Sequence, residues 1–254
     1  MSRREAILRE MGLGPIWKLR QPVGGDTAAA PAAASGPGAT APAPVDVPAV
    51  TAAAASMPAP VASPVASLDW DDLENAIRGC RACGLCQQRK QAVPGVGDRQ
   101  ADWLFVGEGP GAEEDERGEP FVGQAGKLLD AMMAAIDIKR GEDVYIANAV
   151  KCRPPGNRTP EPEETAACWP YLERQIALLQ PKLIVALGRP AAQTLLQQEV
   201  KIGAARGQLH DYRGIPVIVT YHPAYLLRNL TDKAKAWEDL VLARRTMNKL
   251  KGNT

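Results

Sequence analysis

Four short apolar runs, at residues 103–106, 144–149, 183–187 and 216–220, alternate with stretches of helical period at 126–136, 162–179, 190–197 and 233–250. No other feature constrains the fold as tightly. Strands separated by helices pair in parallel, because each crossover brings the chain back to start the next strand in the same direction. Each helical stretch is apolar on one side, so helices are expected on both faces of the sheet. The fold class read from this pattern is α/β, a three-layer α/β/α sandwich with a central four-stranded parallel sheet. A short helix at about 69–79 leads into it. No unit of twenty or more residues recurs, which excludes a solenoid.

Ahead of this body, residues 22–67 are mostly Ala and Pro, with few charges and almost no large apolar groups. Such a stretch cannot offset the entropy of ordering, so it is expected to be a disordered linker. Residues 1–21 then form a separate short segment with helical period near its start and an apolar Trp17, a candidate docking peptide for a protein partner. The chain of 254 residues is 45% hydrophobic, enough for one good core in residues 68–254. Its net charge is only +1, so nucleic acid would have to be held by a local basic patch. The chain shows neither a signal peptide nor an apolar stretch long enough to span a bilayer, and a soluble cytoplasmic protein with no membrane partner is expected.

Open α/β sheets bind ligands at the carboxyl ends of their strands. The first run leads into Gly107-Glu108-Gly109-Pro110-Gly111-Ala112-Glu113-Glu114-Asp115, where backbone can approach a ligand closely and carboxylates stand beside it. Acids at these positions would repel a pyrophosphate, which argues against a dinucleotide site. Phe121 follows in Glu119-Pro120-Phe121-Val122-Gly123, and a phenyl ring there can stack on a flat base. Asn148 ends the second run, where a carboxamide can offer one donor and one acceptor to a base edge. After the fourth run, Tyr221-His222-Pro223-Ala224-Tyr225-Leu226-Leu227-Arg228 supplies an imidazole, two leucines and a cation. His210 lies in a polar turn region and is given no role.

The five cysteines are odd in number and unevenly spaced, which argues against a secreted disulfide framework. Cys80 and Cys83 stand in a polar loop with Cys86 close by, and Cys152 and Cys168 follow at a distance. Four thiolates so arranged can close a site for zinc or for an iron–sulfur cluster.

Taken together, the Gly107–Gly111 motif with Glu114 and Asp115, Pro120-Phe121-Val122-Gly123, the stretch from Tyr145 through Asn148 to Lys151-Cys152-Arg153-Pro154-Pro155, and His222-Pro223-Ala224 through Arg228 resemble a family 4 uracil-DNA glycosylase. The resemblance covers residues 68 to about 250. It implies a [4Fe–4S] cluster held by Cys80, Cys83, Cys152 and Cys168, with Cys86 outside. It also implies hydrolysis of uracil from single- and double-stranded DNA by a monomer that flips the base out. In that reading Asn148 pairs with uracil and Phe121 stacks on it, while Glu114 crowds the methyl of thymine. Gly109 and Gly111 present backbone amides. His222 donates to the base, and Glu108, helped by Asp115, orients water. Leu226 or Leu227 fills the vacated stack and Arg228 grips a phosphate, with Lys151, Arg153 and Arg158 as further phosphate contacts. The segment 151–158 has no histidine, so ordinary turnover is expected in place of the covalent capture seen in a uracil-crosslinking relative. A noncatalytic nucleic-acid-binding or polymerase-associated iron–sulfur protein is the competing reading, disfavoured by the intact Glu108, Asn148 and His222.

Overall fold

The computed structural model describes residues 65–252. The chain divides into two units, Met1–Met57 and Pro58–Thr254, and the described residues all belong to the second. The candidate docking peptide at 1–21 and residues 22–64 of the expected linker lie outside the described residues. Residues 65–67 form a turn whose Val65 is buried against Leu73 and Ile77.

In chain order the elements are α1 (Trp70–Gly79), β1 (Val96–Gly97), β2 (Trp103–Gly107), α2 (Ala112–Arg117), α3 (Gln124–Ala134), β3 (Val144–Asn148), α4 (Pro162–Leu179), β4 (Leu183–Leu187), α5 (Arg189–Leu196), α6 (Ile202–Ala205), β5 (Leu209–Tyr212), β6 (Ile215–Thr220), α7 (Pro223–Arg228) and α8 (Lys233–Leu250). Asp69 caps α1, its Oδ1 accepting from the Asp72 N–H at 2.9 Å.

The sheet has six strands in the order β1-β3-β2-β4-β6-β5. The four central strands are the expected ones and run parallel. The two edge strands are antiparallel, so the sheet is mixed and larger than the four parallel strands expected. Edge strands are short and half-exposed, and these two show it. Val96–Gly97 is only two residues long, and His210 and Asp211 break up the apolar pattern of Leu209–Tyr212. The β5–β6 hairpin closes on Arg213 and Gly214, both at positive φ, with the Asp211 carboxylate accepting the Gly214 N–H.

Alternate residues of the central strands face opposite layers, as the pleat requires. Phe105, Ile146, Val185 and Ile218 pack against Leu129 and Met133 of α3 and Leu240, Ala243 and Met247 of α8. Leu104, Ala147, Ala186 and Val219 pack against Leu172 and Ile176 of α4 and Ala191 and Leu195 of α5. Each large side chain so buried contributes about 1.5–3 kcal/mol. The two apolar faces therefore account for the three layers. No helix among the described residues is long and apolar enough to cross a membrane.

The parallel register puts Gly107 directly opposite Asn148 and Leu187 opposite Thr220. Carboxyl ends of four strands thus finish at one edge of the sandwich. From the other side, Asp239 of α8 accepts from Thr220 Oγ1 at 2.8 Å, fixing the end of β6.

Candidate active site

A cavity of about 400 Å³ opens at this edge, with Glu108, Phe121, Asn148, His222 and Arg228 in its wall. Four separate stretches of chain therefore converge on one pocket. Asn148 closes β3 and is 2% exposed, and its Oδ1 is buried without a hydrogen-bond partner among the described residues. A buried carbonyl oxygen of this kind is rare and costs about 1–3 kcal/mol unless something donates to it.

Bare backbone at Gly107 makes the arrangement possible. A Cβ on this residue would stand 2.4 Å from Asn148 Oδ1 and 2.6 Å from Phe121 Cζ, so both side chains lie across the end of β2. Phe121 itself has φ of 55°, a left-handed conformation that a bulky residue adopts only under constraint. The constraint comes from Arg140, which donates to Pro120 O at 3.1 Å and Phe121 O at 2.9 Å while pairing with Asp130. Close packing of α3 adds to it, since a Cβ on Gly126 would be 1.8 Å from Phe121 O. Neither Arg140 nor Gly126 carries a motif that sequence reading could have used.

His222 is the N-cap of α7, and its Nδ1 accepts from the Ala224 N–H at 3.2 Å. That bond leaves the proton of the neutral ring on Nε2. Burial, aided by the Arg228 guanidinium, pushes the imidazole down to about 4, so it is a neutral donor at physiological pH. Its ring lies 5.5 Å from that of Phe121. Room for it depends on Gly188 at the end of β4, where φ is 89° and a Cβ would be 3.0 Å from that of His222. Burial raises the Glu108 carboxyl above its ordinary value, partly offset by a hydrogen bond with Thr159 and the charge of Arg189.

Glu114 lines the pocket, and its carboxylate accepts from the backbone N–H groups of Gly111 (3.1 Å), Val122 (2.9 Å) and Gly123 (3.2 Å). It pins the glycine loop to the Phe121 loop. The Gly111 amide is thereby engaged, so of the two glycine amides expected to face a ligand it is not a free donor; Gly111 and Gly109 both line the cavity.

Asp115, expected to help orient water, is not brought into the pocket wall. It is buried, with Oδ1 accepting from the Lys90 N–H at 2.9 Å, and its role is to tie α2 to residues 90–91. Leu226 and Leu227 also separate: Leu226 is 1% exposed in the core, and Leu227 is 41% exposed. Lys151, expected at a phosphate, is instead buried in the interior. Arg153 bonds to Asn157, and Arg158 lines the cavity while paired with Glu164.

Cys80, Cys83, Cys152 and Cys168 line one small cavity between α1 and α4, and Cys86 faces a different one among Arg78, Arg81 and Lys90. Three N–H donors are aimed at these sulfurs. Arg89 reaches Cys152 Sγ at 2.8 Å, the Lys151 amide reaches Cys168 Sγ at 3.2 Å, and the Ala82 amide reaches Cys80 Sγ at 3.5 Å. Burial pushes the Cys168 thiol up to about 12 and raises Cys83 and Cys152, so the free thiols hold their protons until a metal displaces them. Among the described residues, no three His, Cys, Asp or Glu side chains are grouped as ligands of one metal ion.

The model of the uracil DNA glycosylase superfamily matches residues 94–241. The chain is 43% identical over 183 residues to a type-4 uracil-DNA glycosylase of Pyrobaculum aerophilum, across 69% of this chain and 93% of that protein. It is 46% identical over 165 residues to one of Archaeoglobus fulgidus (62% and 82%), and 48% identical over 161 residues to one of Thermotoga maritima (63% and 83%).

Gly107→Ala tests the geometry of the wall. The added methyl is expected to force Asn148 and Phe121 apart and cost about 1–3 kcal/mol in urea denaturation; a change within about 0.5 kcal/mol would contradict the close approach.

Proposed function

The chain belongs to the uracil DNA glycosylase superfamily, among its type-4 enzymes, and we propose from its pocket how it selects and releases uracil. It is a uracil-DNA glycosylase of base excision repair, a hydrolase of N-glycosyl bonds acting on uracil-containing DNA. The observation that carries the account of specificity is the unpartnered Asn148 Oδ1. It accepts the uracil N3–H while the amide nitrogen donates to O4. Cytosine presents the opposite order and would leave buried polar groups unpaired, a heavy penalty.

Phe121 stacks on the everted base. Glu114, held by three backbone amides, is a rigid wall against the extra methyl of thymine. As the N1–C1′ bond breaks, its electron pair departs with uracil. His222 Nε2–H stabilises the negative charge growing on O2 without first having to lose or gain a proton. Water attacks the oxocarbenium-like carbon and gives its proton to the Glu108 carboxylate. Asp115 takes no part. Of the two leucines, the exposed Leu227 fills the gap in the stack and Arg228 meets a phosphate.

We assign Cys80, Cys83, Cys152 and Cys168 as the residues that would hold a [4Fe–4S] cluster, which would supply a covalent staple between α1, the segment after β3 and α4. The N–H donors on three of the sulfurs favour thiolates. We propose that the enzyme acts as a monomer in the cytoplasm.

The test is release of free base from oligonucleotides carrying uracil, thymine or cytosine. Uracil alone is expected to appear, and tight binding without release would leave only a binding module. Leu227→Ala should reduce kcat/KM on duplex about tenfold or more while sparing single strands; equal losses on both would rule out the wedge. For pH dependence, Glu108 must be ionised and its pKa stands above the ordinary 4.5, whereas His222 stays neutral down to about 4. Activity should therefore fall as pH drops through the raised Glu108 value, and the acid limb should vanish in Glu108→Gln. An unchanged limb in that variant would reassign the base. Purified protein should be brown, with about four irons per chain, and Cys152→Ala should lose iron; colourless protein with stoichiometric zinc would overturn the cluster assignment.

A further inference from the structure

Lys151 is 1% exposed, an uncommon place for a lysine. Its Nζ donates to the backbone carbonyl of Asn148 at 2.8 Å and to Gln175 Oε1 at 2.6 Å. Gln175 is held in turn, its Nε2 donating to Pro94 O at 2.8 Å. The Lys151 backbone N–H donates to Cys168 Sγ at 3.2 Å. Cys168 and Gln175 both lie on α4, two turns apart, so one residue grips that helix at two levels and the end of β3 at a third point. Burying an ammonium is costly unless its bonds compensate, and here those bonds converge on the residue whose side chain faces the pocket.

We propose that Lys151 is a positioning residue for base recognition: by holding the Asn148 main-chain carbonyl, it fixes the height at which the Asn148 carboxamide meets uracil. Asn148 is the last residue of β3; beyond it the Ala149 and Val150 N–H groups still donate to the carbonyls of Gly107 and Glu108, and the Asn148 carbonyl itself accepts from Lys151. The lysine adds to those bonds a restraint on the carbonyl of Asn148 itself. The inference rests on Asn148 being the residue that reads the base. It adds that this reading depends on a side chain that touches neither the base nor the sugar.

The experiment is a double-mutant cycle on the cluster-loaded protein, combining Lys151→Met with Asn148→Ala. It is read both as kcat/KM and as affinity for a duplex bearing 2′-fluoro-2′-deoxyuridine, whose glycosidic bond resists cleavage. Iron content and melting temperature serve as controls for folding. Lys151→Met is expected to lower both quantities by about 10- to 100-fold, the usual scale for residues that orient a contacting group. In the Asn148→Ala background it should have less than about a twofold further effect, because nothing remains to be positioned. Losses that multiply across the two backgrounds, or no loss from Lys151→Met alone, would overturn the proposal while leaving Asn148 as the base reader. An Asn148→Ala protein with unchanged uracil affinity would instead overturn that reading and this inference with it. If Lys151→Met loses its iron or fails to fold, Gln175→Met, which frees the lysine without emptying its site, is scored by the same criteria.

Discussion

An acceptor oxygen buried without a donor is a standing cost of about 1–3 kcal/mol, and the pocket of this enzyme is built around one. Asn148 Oδ1 has no partner among the described residues, and in the proposed recognition that place is taken by the base. In that recognition the cost is recovered when a ring nitrogen bearing hydrogen donates to the oxygen, and specificity follows from that condition. A base that brings an acceptor to the same point meets oxygen with lone pair and leaves both unpaired.

Holding such a group in place takes support from several directions. Gly107 lets the carboxamide and the Phe121 ring share the end of β2. Arg140 keeps Phe121 in its left-handed conformation, and Glu114 laces the two flanking loops together through three amides. His222 has its tautomer set by the first turn of α7. In each case the main chain is one partner, held by the Arg140 guanidinium or the Glu114 carboxylate at the loops and by the His222 ring at the start of α7. Cysteines on α4 and in the loop after α1 flank the same β3 terminus, so a cluster held there, as proposed, would staple the segments beneath the pocket.

Much of this was legible in the sequence. Strand and helix periods differ enough that the four central strands and the long helices α4 and α8 stand where the pattern puts them. The edge strands β1 and β5 escape because two residues, or four interrupted by His210 and Asp211, carry no period. At the site, errors arise where neighbours in sequence look equivalent. Asp115 follows Glu114, and Leu227 follows Leu226, but successive residues of a helix point about 100° apart. One member of each pair therefore faces away from the other's surroundings, and no local signal says which. Lys151 misleads for a similar reason, since a basic residue beside Cys152 and Arg153 looks like a surface cation until the buried acceptors Gln175 and Asn148 are seen around it.

In the proposed recognition, Asn148 requires a donor on N3 of the pyrimidine. Calorimetric titration of the protein with free uracil and with 3-methyluracil tests it directly, since the two differ only at that nitrogen. Uracil is expected to bind and the methylated base to bind at least about 100-fold more weakly, the scale of a lost buried hydrogen bond plus a steric clash. Equal affinities for the two would contradict the claim.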